Sequence, residues 1–479
     1  MTRALFWRVL LIALLAVGLR IAYQAGMTAY GGSFNNGSDS GKYINVAIGI
    51  LDYGQFARVD NDGDDAGELR DASNRMPAYM YFLAGMFDLF GKDNLRAIVT
   101  VQALFDGLSI FGIALAALAI GPALVIPAAI AAAIMPNLIV HASYILQENL
   151  FLVFFSWSLC SLLWAIRSPR PWLLLTVGGL LLGASMMTRL VVGYYPLFIL
   201  PALAYALRKN GERSWLSSVA LAAIPLIVMQ AAGLPLRISN YLAYGYAGLS
   251  SQTGPHLLHW FYGCVATSWP CADRGSIVAF VKPLEAARVS AAGVADNPFA
   301  VSAIYTSLAL ELMWKLPFWH IPLGMAWGAF RNLIQTGFYE VLTQFKQPLT
   351  FLSAMPGNSA SERLINFFLI NKTNAFMIMW AVSEITLIVS RVFQALGLWY
   401  GLRSREWRGV VVLLVVSVIY FLAVNGPIGN PKYRFPMEPA LILLFALGWS
   451  QSSIGARVNE WVAARLPFER RAAARGQTA

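Results

Sequence analysis

The chain has 479 residues, of which 58% are hydrophobic and only 12% charged, and its mean hydropathy is +0.59. Soluble proteins carry about 25% charged residues, so a soluble multidomain protein, a disordered chain and, with Cys at 3, a disulfide-dense scaffold are all excluded. What remains is an all-α polytopic membrane protein, whose net charge of +11 points to anchoring at a cytoplasmic membrane face rather than to nucleic acid.

A spanning helix needs roughly 20 predominantly apolar residues. Such runs predict about ten spans, near 4–24, 97–118, 122–140, 147–166, 172–187, 191–207, 214–235, 375–402, 409–424 and 437–454. The runs are continuous and do not alternate, which excludes a β-barrel. The first run follows Arg3 and Arg8 and lacks a small-x-small cleavage site, so it reads as an uncleaved anchor rather than a signal peptide.

Cation placement sets the expected orientation. One set of connections holds Arg3, Arg8, Arg167, Arg170, Arg208, Lys209, Arg213, Arg403, Arg405, Arg408 and the tail residues Arg457, Arg465, Arg470, Arg471 and Arg475. The short opposite connections hold only Arg189, Lys432 and Arg434. Both termini are therefore expected in the cytoplasm of a multi-pass inner-membrane protein. Two outer segments, about 25–96 and 236–374, are too long to be turns. The division expected is an N-terminal transmembrane module (1–235), a long periplasmic region (236–374), a C-terminal module (375–455) and a basic tail (456–479). The second outer segment is rich in Trp, including Trp260, Trp269, Trp314, Trp319 and Trp327, and predicts amphipathic helices at headgroup level. Its apolar run at 317–329 is interrupted by Pro322 and is not counted as a span.

The spans hold few ionisable residues, chiefly Glu148 and Glu384, with Asp106 near an end. A carrier or channel would place such groups along its path. Here the polar residues lie in the loops of one face, which suits an enzyme at the membrane surface. In the first loop Asp39 stands at the start of a predicted helix, and on spacing alone a helix N-cap by Ser38, Asp39 or Ser40 is the simpler reading. Arg75 precedes Pro77, which opens the next predicted helix, and on its own reads as an interfacial side chain.

Taken together these segments resemble the glycosyltransferase-C superfamily, which includes protein O-mannosyltransferases and the lipid A aminoarabinose transferase. The similarity lies in Asp39 followed by Tyr43-Ile-Asn-Val-Ala47, in Arg75-Met-Pro77-Ala-Tyr79 and in Glu148-Asn-Leu-Phe151. It continues in Thr188-Arg189 with Tyr195-Pro196, and in Lys432-Tyr-Arg434-Phe-Pro436-Met-Glu-Pro439. It covers about 1–235 and 375–455. The resemblance implies a transferase that moves a sugar from a polyprenyl-phosphate-linked donor to a glycan, lipid or protein acceptor on the periplasmic side, with inversion. It also implies Asp39 as general base and Arg75, Arg434, Lys42 and Arg189 as phosphate ligands. The chain departs from many relatives at Ser40, where they carry a second acid.

Asp60-Asn-Asp62-Gly-Asp64-Asp65-Ala-Gly-Glu68-Leu-Arg-Asp71 has the acid spacing of a calcium loop, with Asp60, Asp62, Asp64 and Asp71 as ligands. Asp65 stands where such loops need Gly, so a solvated acidic loop is the favoured reading. A divalent cation is therefore the one cofactor class left in play. No Walker loop or dinucleotide fingerprint appears, and His256 and His259 lack further zinc ligands nearby. Cys264 and Cys271, both in the second outer segment, are expected to pair in an oxidising compartment, with Cys160 free inside a span. The competing readings are a transporter or flippase of a lipid-linked glycan, and a glycan polymerase or ligase.

Overall fold

The computed structural model describes residues 1–35, 39–60, 67–211, 213–267, 271–347, 355–371 and 375–458. Among them the only strands are Ala57–Val59 and Leu69–Asp71, an antiparallel hairpin in which Arg58 faces Arg70. Everything else regular is helical, as the continuous apolar runs require.

Seven described helices are long and apolar enough to cross a membrane: Arg3–Ala29, Leu95–Ile120, Glu148–Arg167, Pro171–Thr188, Trp215–Tyr244, Ala375–Arg403 and Arg408–Asn425. The outer ones expose apolar side chains, such as Leu11, Leu14 and Leu15 on the first and Ile378, Val382, Ile385 and Ile388 on the sixth. Apolar surface on helices of spanning length suits lipid, and the chain is a multi-pass membrane protein.

Three of the ten expected spans take a different form. The run at 122–140 is broken, because Pro136 ends Val125–Ile134 and starts the short helix Pro136–His141. The run at 191–207 becomes Tyr195–Gly211, with Pro201 inside. The run at 437–454 becomes Glu438–Gln451, entered through a 3₁₀ turn Pro431–Met437. At 14 residues Glu438–Gln451 measures only about 21 Å. Most of it is buried among other helices, where hydropathy along the chain cannot tell a core helix from a spanning one. It packs closely on Ala375–Arg403: a Cβ on Gly397 or on Gly448 would overlap the backbone of the facing helix.

The Pro136 break also explains a buried charge. A helical Ala132 carbonyl would accept from the N–H of residue 136, which proline lacks. Arg20, fully buried on the first helix, instead donates to the carbonyls of Ala132 and Ala133 and pairs with Asp106 at 2.5 Å. The other intramembrane acids are partnered as well, Glu384 by Thr336 at 2.9 Å and Glu148 by Arg189 at 3.2 Å.

Candidate active site

Several segments distant in sequence converge on one cavity of about 580 Å³. Ser40–Tyr53 brings Asp39, Lys42 and Tyr43. The start of Pro77–Phe90 brings Arg75: Met76 is extended, as a residue before proline must be, and Pro77 sits at the first helical position where its missing N–H costs nothing. The start of Glu148–Arg167 and the end of Pro171–Thr188 supply Glu148 and Arg189. The outer turn supplies Lys432 and Tyr433. That turn is pinned by asparagines: Asn430 accepts from the Lys432 N–H at 2.9 Å, Asn425 donates to the Tyr433 carbonyl at 2.9 Å, and Asn332 accepts from the Asn430 N–H at 3.0 Å.

Asp39 occupies the N-cap position of its helix but makes no side-chain cap hydrogen bond. Its carboxylate faces the cavity instead, accepting from Lys432 Nζ at 2.9 Å, with Arg75 Nη2 at 3.9 Å from its other oxygen. Burial works to raise the Asp39 pKa, but Lys432, Arg75 and Lys42 together outweigh it and hold the carboxyl below its ordinary value. For Lys432 burial works against its charge, yet Tyr433, Asp39 and Glu148 outweigh that and raise its pKa. Arg75 also lies over the Tyr43 ring, 5.1 Å from its centre.

Arg189 is nearly buried, and its Nη1 lies 3.2 Å from Glu148 Oε1 without hydrogen-bond alignment. That nitrogen has no hydrogen-bond partner, and neither has Glu148 Oε2. A buried guanidinium nitrogen left open beside a cavity is a ready anion donor.

The far wall comes from the long outer segment. His256–Tyr262 is a π-helical turn, a form frequent at functional sites, and it lines the cavity with His256, Leu257, Trp260 and Phe261. Desolvation, then the charges of Arg75 and Lys432, lower His256 to about 4, so it is neutral at pH 7. Its Nε2 lies 2.7 Å from Gln252 Nε2, whereas His259 pairs with Glu285 at 2.6 Å. Just beyond, Cys264 and Cys271 are disulfide-bonded, and Cys160 is free and buried. Leu190, Val191, Tyr194, Tyr420 and Val424 add apolar and aromatic lining, and Gln147, Thr253 and Asn425 add neutral polar groups.

Of the residues singled out in the sequence, Asp39, Lys42, Arg75 and Arg189 come together here. Arg434 does not. Its side chain is buried, pairs with Glu438 at 2.6 Å and donates to the carbonyls of Asn332 and Gln335, at 3.2 and 2.5 Å. The outer turn presents Lys432 to the cavity in its place. Lys432, His256 and Trp260 also line the cavity, a role their sequence context did not give them; the one signal for Lys432 was its place in the same turn motif as Arg434. Of the acidic-loop residues, Asp60 pairs with Arg70 at 2.9 Å, and Asp71 accepts from Ser73 and from Tyr244 at 2.7 Å. Asp62 and Asp64 lie outside the described residues. Among the described residues no three His, Cys, Asp or Glu side chains cluster as a metal site.

The same arrangement of helices occurs in solved proteins. An archaeal oligosaccharyltransferase, AglB from Archaeoglobus fulgidus, in complex with an inhibitory peptide and a dolichol-phosphate, aligns with a TM-score of 0.53 at 12% identity, over 97% of this chain and 52% of that one. Its apo crystal form aligns with a TM-score of 0.53 at 13% identity, over 96% and 52%. At this identity the likeness is one of fold. The chain spans about half the length of the oligosaccharyltransferase it matches. ArnT from Cupriavidus metallidurans bound to undecaprenyl phosphate is more distant, with a TM-score of 0.38 at 15% identity over 96% and 80% of the two chains, and no argument rests on it. Residues 74–233 match the family model of the dolichyl-phosphate-mannose-protein mannosyltransferases, a segment that holds Arg75, Glu148 and Arg189 of the cavity. No curated protein matches the sequence.

Proposed function

We propose that this glycosyltransferase-C fold transfers a sugar from a polyprenyl-phosphate donor to an acceptor hydroxyl at the periplasmic face of the inner membrane, both termini being cytoplasmic. The observation that carries the reading is the placement of the Asp39 carboxylate between Lys432 and Arg75 in a cavity lined by both charged and apolar side chains. The acceptor oxygen attacks the anomeric carbon, Asp39 takes its proton, and the bond from that carbon to the phosphate oxygen breaks on the opposite side. Attack and departure on opposite sides invert the configuration.

The leaving group is a lipid phosphate. Lys42, Arg75, Arg189 and Lys432 line the cavity against the carboxylates of Asp39 and Glu148, leaving two net positive charges with His256 neutral. That balance suits a phosphate monoester, which carries about −1.5 to −2 at pH 7. The phosphate competes with Asp39 for Lys432, so donor binding frees the carboxylate for the acceptor proton. The apolar lining suits the first isoprene units. The acceptor hydroxyl belongs to a glycan, a lipid or a protein.

The test uses purified protein and a panel of labelled polyprenyl-phosphate hexoses with cell-envelope acceptors. Wild type should release polyprenyl phosphate from one of them, and Arg75→Ala/Lys432→Ala should do so at least ~10²-fold more slowly, the usual worth of paired charge contacts at a developing anion. The reading fails if no donor of this class binds, or if the double variant depletes donor as fast as wild type.

A further inference from the structure

The helices Tyr195–Gly211 and Arg408–Asn425 pack side by side and connect two openings of opposite character. One end of the pair meets the cavity described above, at Tyr194, Tyr420, Val424 and Asn425. At the other end lies a second opening of about 500 Å³, lined by Tyr205, Arg208, Lys209, Arg213, Arg405 and Arg408. At 1.5 Å per residue the helix from Arg408 to Asn425 separates the two by about 25 Å, close to the ~30 Å of a bilayer's hydrocarbon core.

All but one of these lining side chains are cations, and among the described residues no carboxylate lines the opening. Glu406, between Arg405 and Arg408 in sequence, turns to Arg167 at 3.3 Å. Several of the cations are held in place rather than waving in solvent. Arg408 Nε donates to the Leu402 carbonyl at 2.7 Å, and Arg213 donates to the carbonyls of Leu207 and Ser168, each at 3.3 Å. Arg208 lies 4.6 Å over the Trp215 ring. Neutral carbonyls and a ring order these groups without cancelling their charge, so an anion is the partner that relieves their mutual repulsion. The first turn of Arg408–Asn425 adds the positive end of a helix dipole to the same opening.

The surroundings set the depth of this opening. Trp215 and Leu216 are exposed beside it, Trp172 is exposed at the same end of the bundle, and Arg403 stacks on Trp399 at 3.6 Å. Tryptophans and stacked arginines of this kind sit where lipid headgroups meet hydrocarbon. We propose that the opening binds the phosphate headgroup of an anionic membrane lipid, at the membrane face opposite the catalytic cavity. Guanidinium forks match phosphate oxygens, and a lipid brings acyl chains for the apolar surface at Leu216, which a soluble phosphate would leave bare. The assignment holds whatever reaction the other cavity performs.

Native mass spectrometry of the full chain in neutral detergent, titrated with phosphatidylglycerol, phosphatidylcholine or inorganic phosphate, tests it. Phosphatidylglycerol should remain bound under conditions that strip phosphatidylcholine. Arg208→Gln/Arg405→Gln should lower its retention roughly 30-fold, the worth of two basic side chains at an anionic headgroup. Arg75→Gln, in the other cavity, should leave this retention unchanged. Wild type alone carries the first arm, so a poorly folding variant does not blunt the test. Equal retention of the two lipids by wild type, saturation by inorganic phosphate without phosphatidylglycerol binding, or retention lost in Arg75→Gln but kept in Arg208→Gln/Arg405→Gln would each overturn the proposal.

Discussion

Lys432 Nζ donates to Asp39 Oδ2 at 2.9 Å across 393 positions of sequence. The contact joins the turn after the last long helix to the loop after the first, and the N-cap residue Asp39 faces a cavity. Both partners are about three-quarters covered, so the pair is screened less than a surface salt bridge.

Asp39→Asn separates the base from the cap. Asparagine has the shape of aspartate and caps helices as well, but it cannot take a proton from an acceptor hydroxyl. The variant should fold and bind donor while transfer falls at least ~10²-fold. Near-normal turnover by purified protein would remove Asp39 from the reaction.

The pH profile reads the same pair from the other side. A general base works only when deprotonated, and Asp39 is held below the ordinary value of about 3.9 because Lys432, Arg75 and Lys42 outweigh its burial. Loss of activity on acidification should therefore begin below that value. Lys432→Met removes a lowering influence and leaves burial in place, so the acid limb of kcat/KM should move to higher pH. An acid limb that stays put in the variant would show that Lys432 does not tune the base.

Arg189 and Glu148 form a nearly buried pair whose Arg189 Nη1 and Glu148 Oε2 lack hydrogen-bond partners. Removing one member strands the other charge, which costs about 3–5 kcal/mol in buried pairs. Arg189→Gln should lower stability by that order and weaken donor binding. Arg189→Gln/Glu148→Gln should recover much of the stability but not the binding. Thermal unfolding in detergent and a donor-binding assay decide it: full recovery of both would make the pair purely structural.

Arg434→Lys should act on folding rather than on donor. Its guanidinium is buried against Glu438 and the carbonyls of Asn332 and Gln335, and lysine cannot reproduce that fork. The expected outcome is reduced stability with an unchanged donor KM in the folded fraction. A raised KM at wild-type stability would place Arg434 in contact with donor after all.

Membership in the membrane class and the helical fold follow from the sequence alone, because hydropathy is summed along the chain and a bilayer imposes one length on every crossing. That Asp39, Lys42, Arg75 and Arg189 belong together was legible only through the family resemblance, because on local spacing alone Asp39 reads as a helix cap and Arg75 as an interfacial side chain. Which of two neighbouring cations reaches the cavity was not legible. Lys432 and Arg434 stand two positions apart in a turn of about three residues per revolution, so they point roughly 120° apart, and the packing of that turn on Asn332 and Asn425 sets its rotation. The contribution of His256 and Trp260 likewise depends on a π turn folded back over the bundle from a segment with no periodic signal of its own. Local sequence determines what each segment becomes; only the path of the chain between segments decides which charges meet, because an ion pair depends on distance in space and not on separation along the backbone.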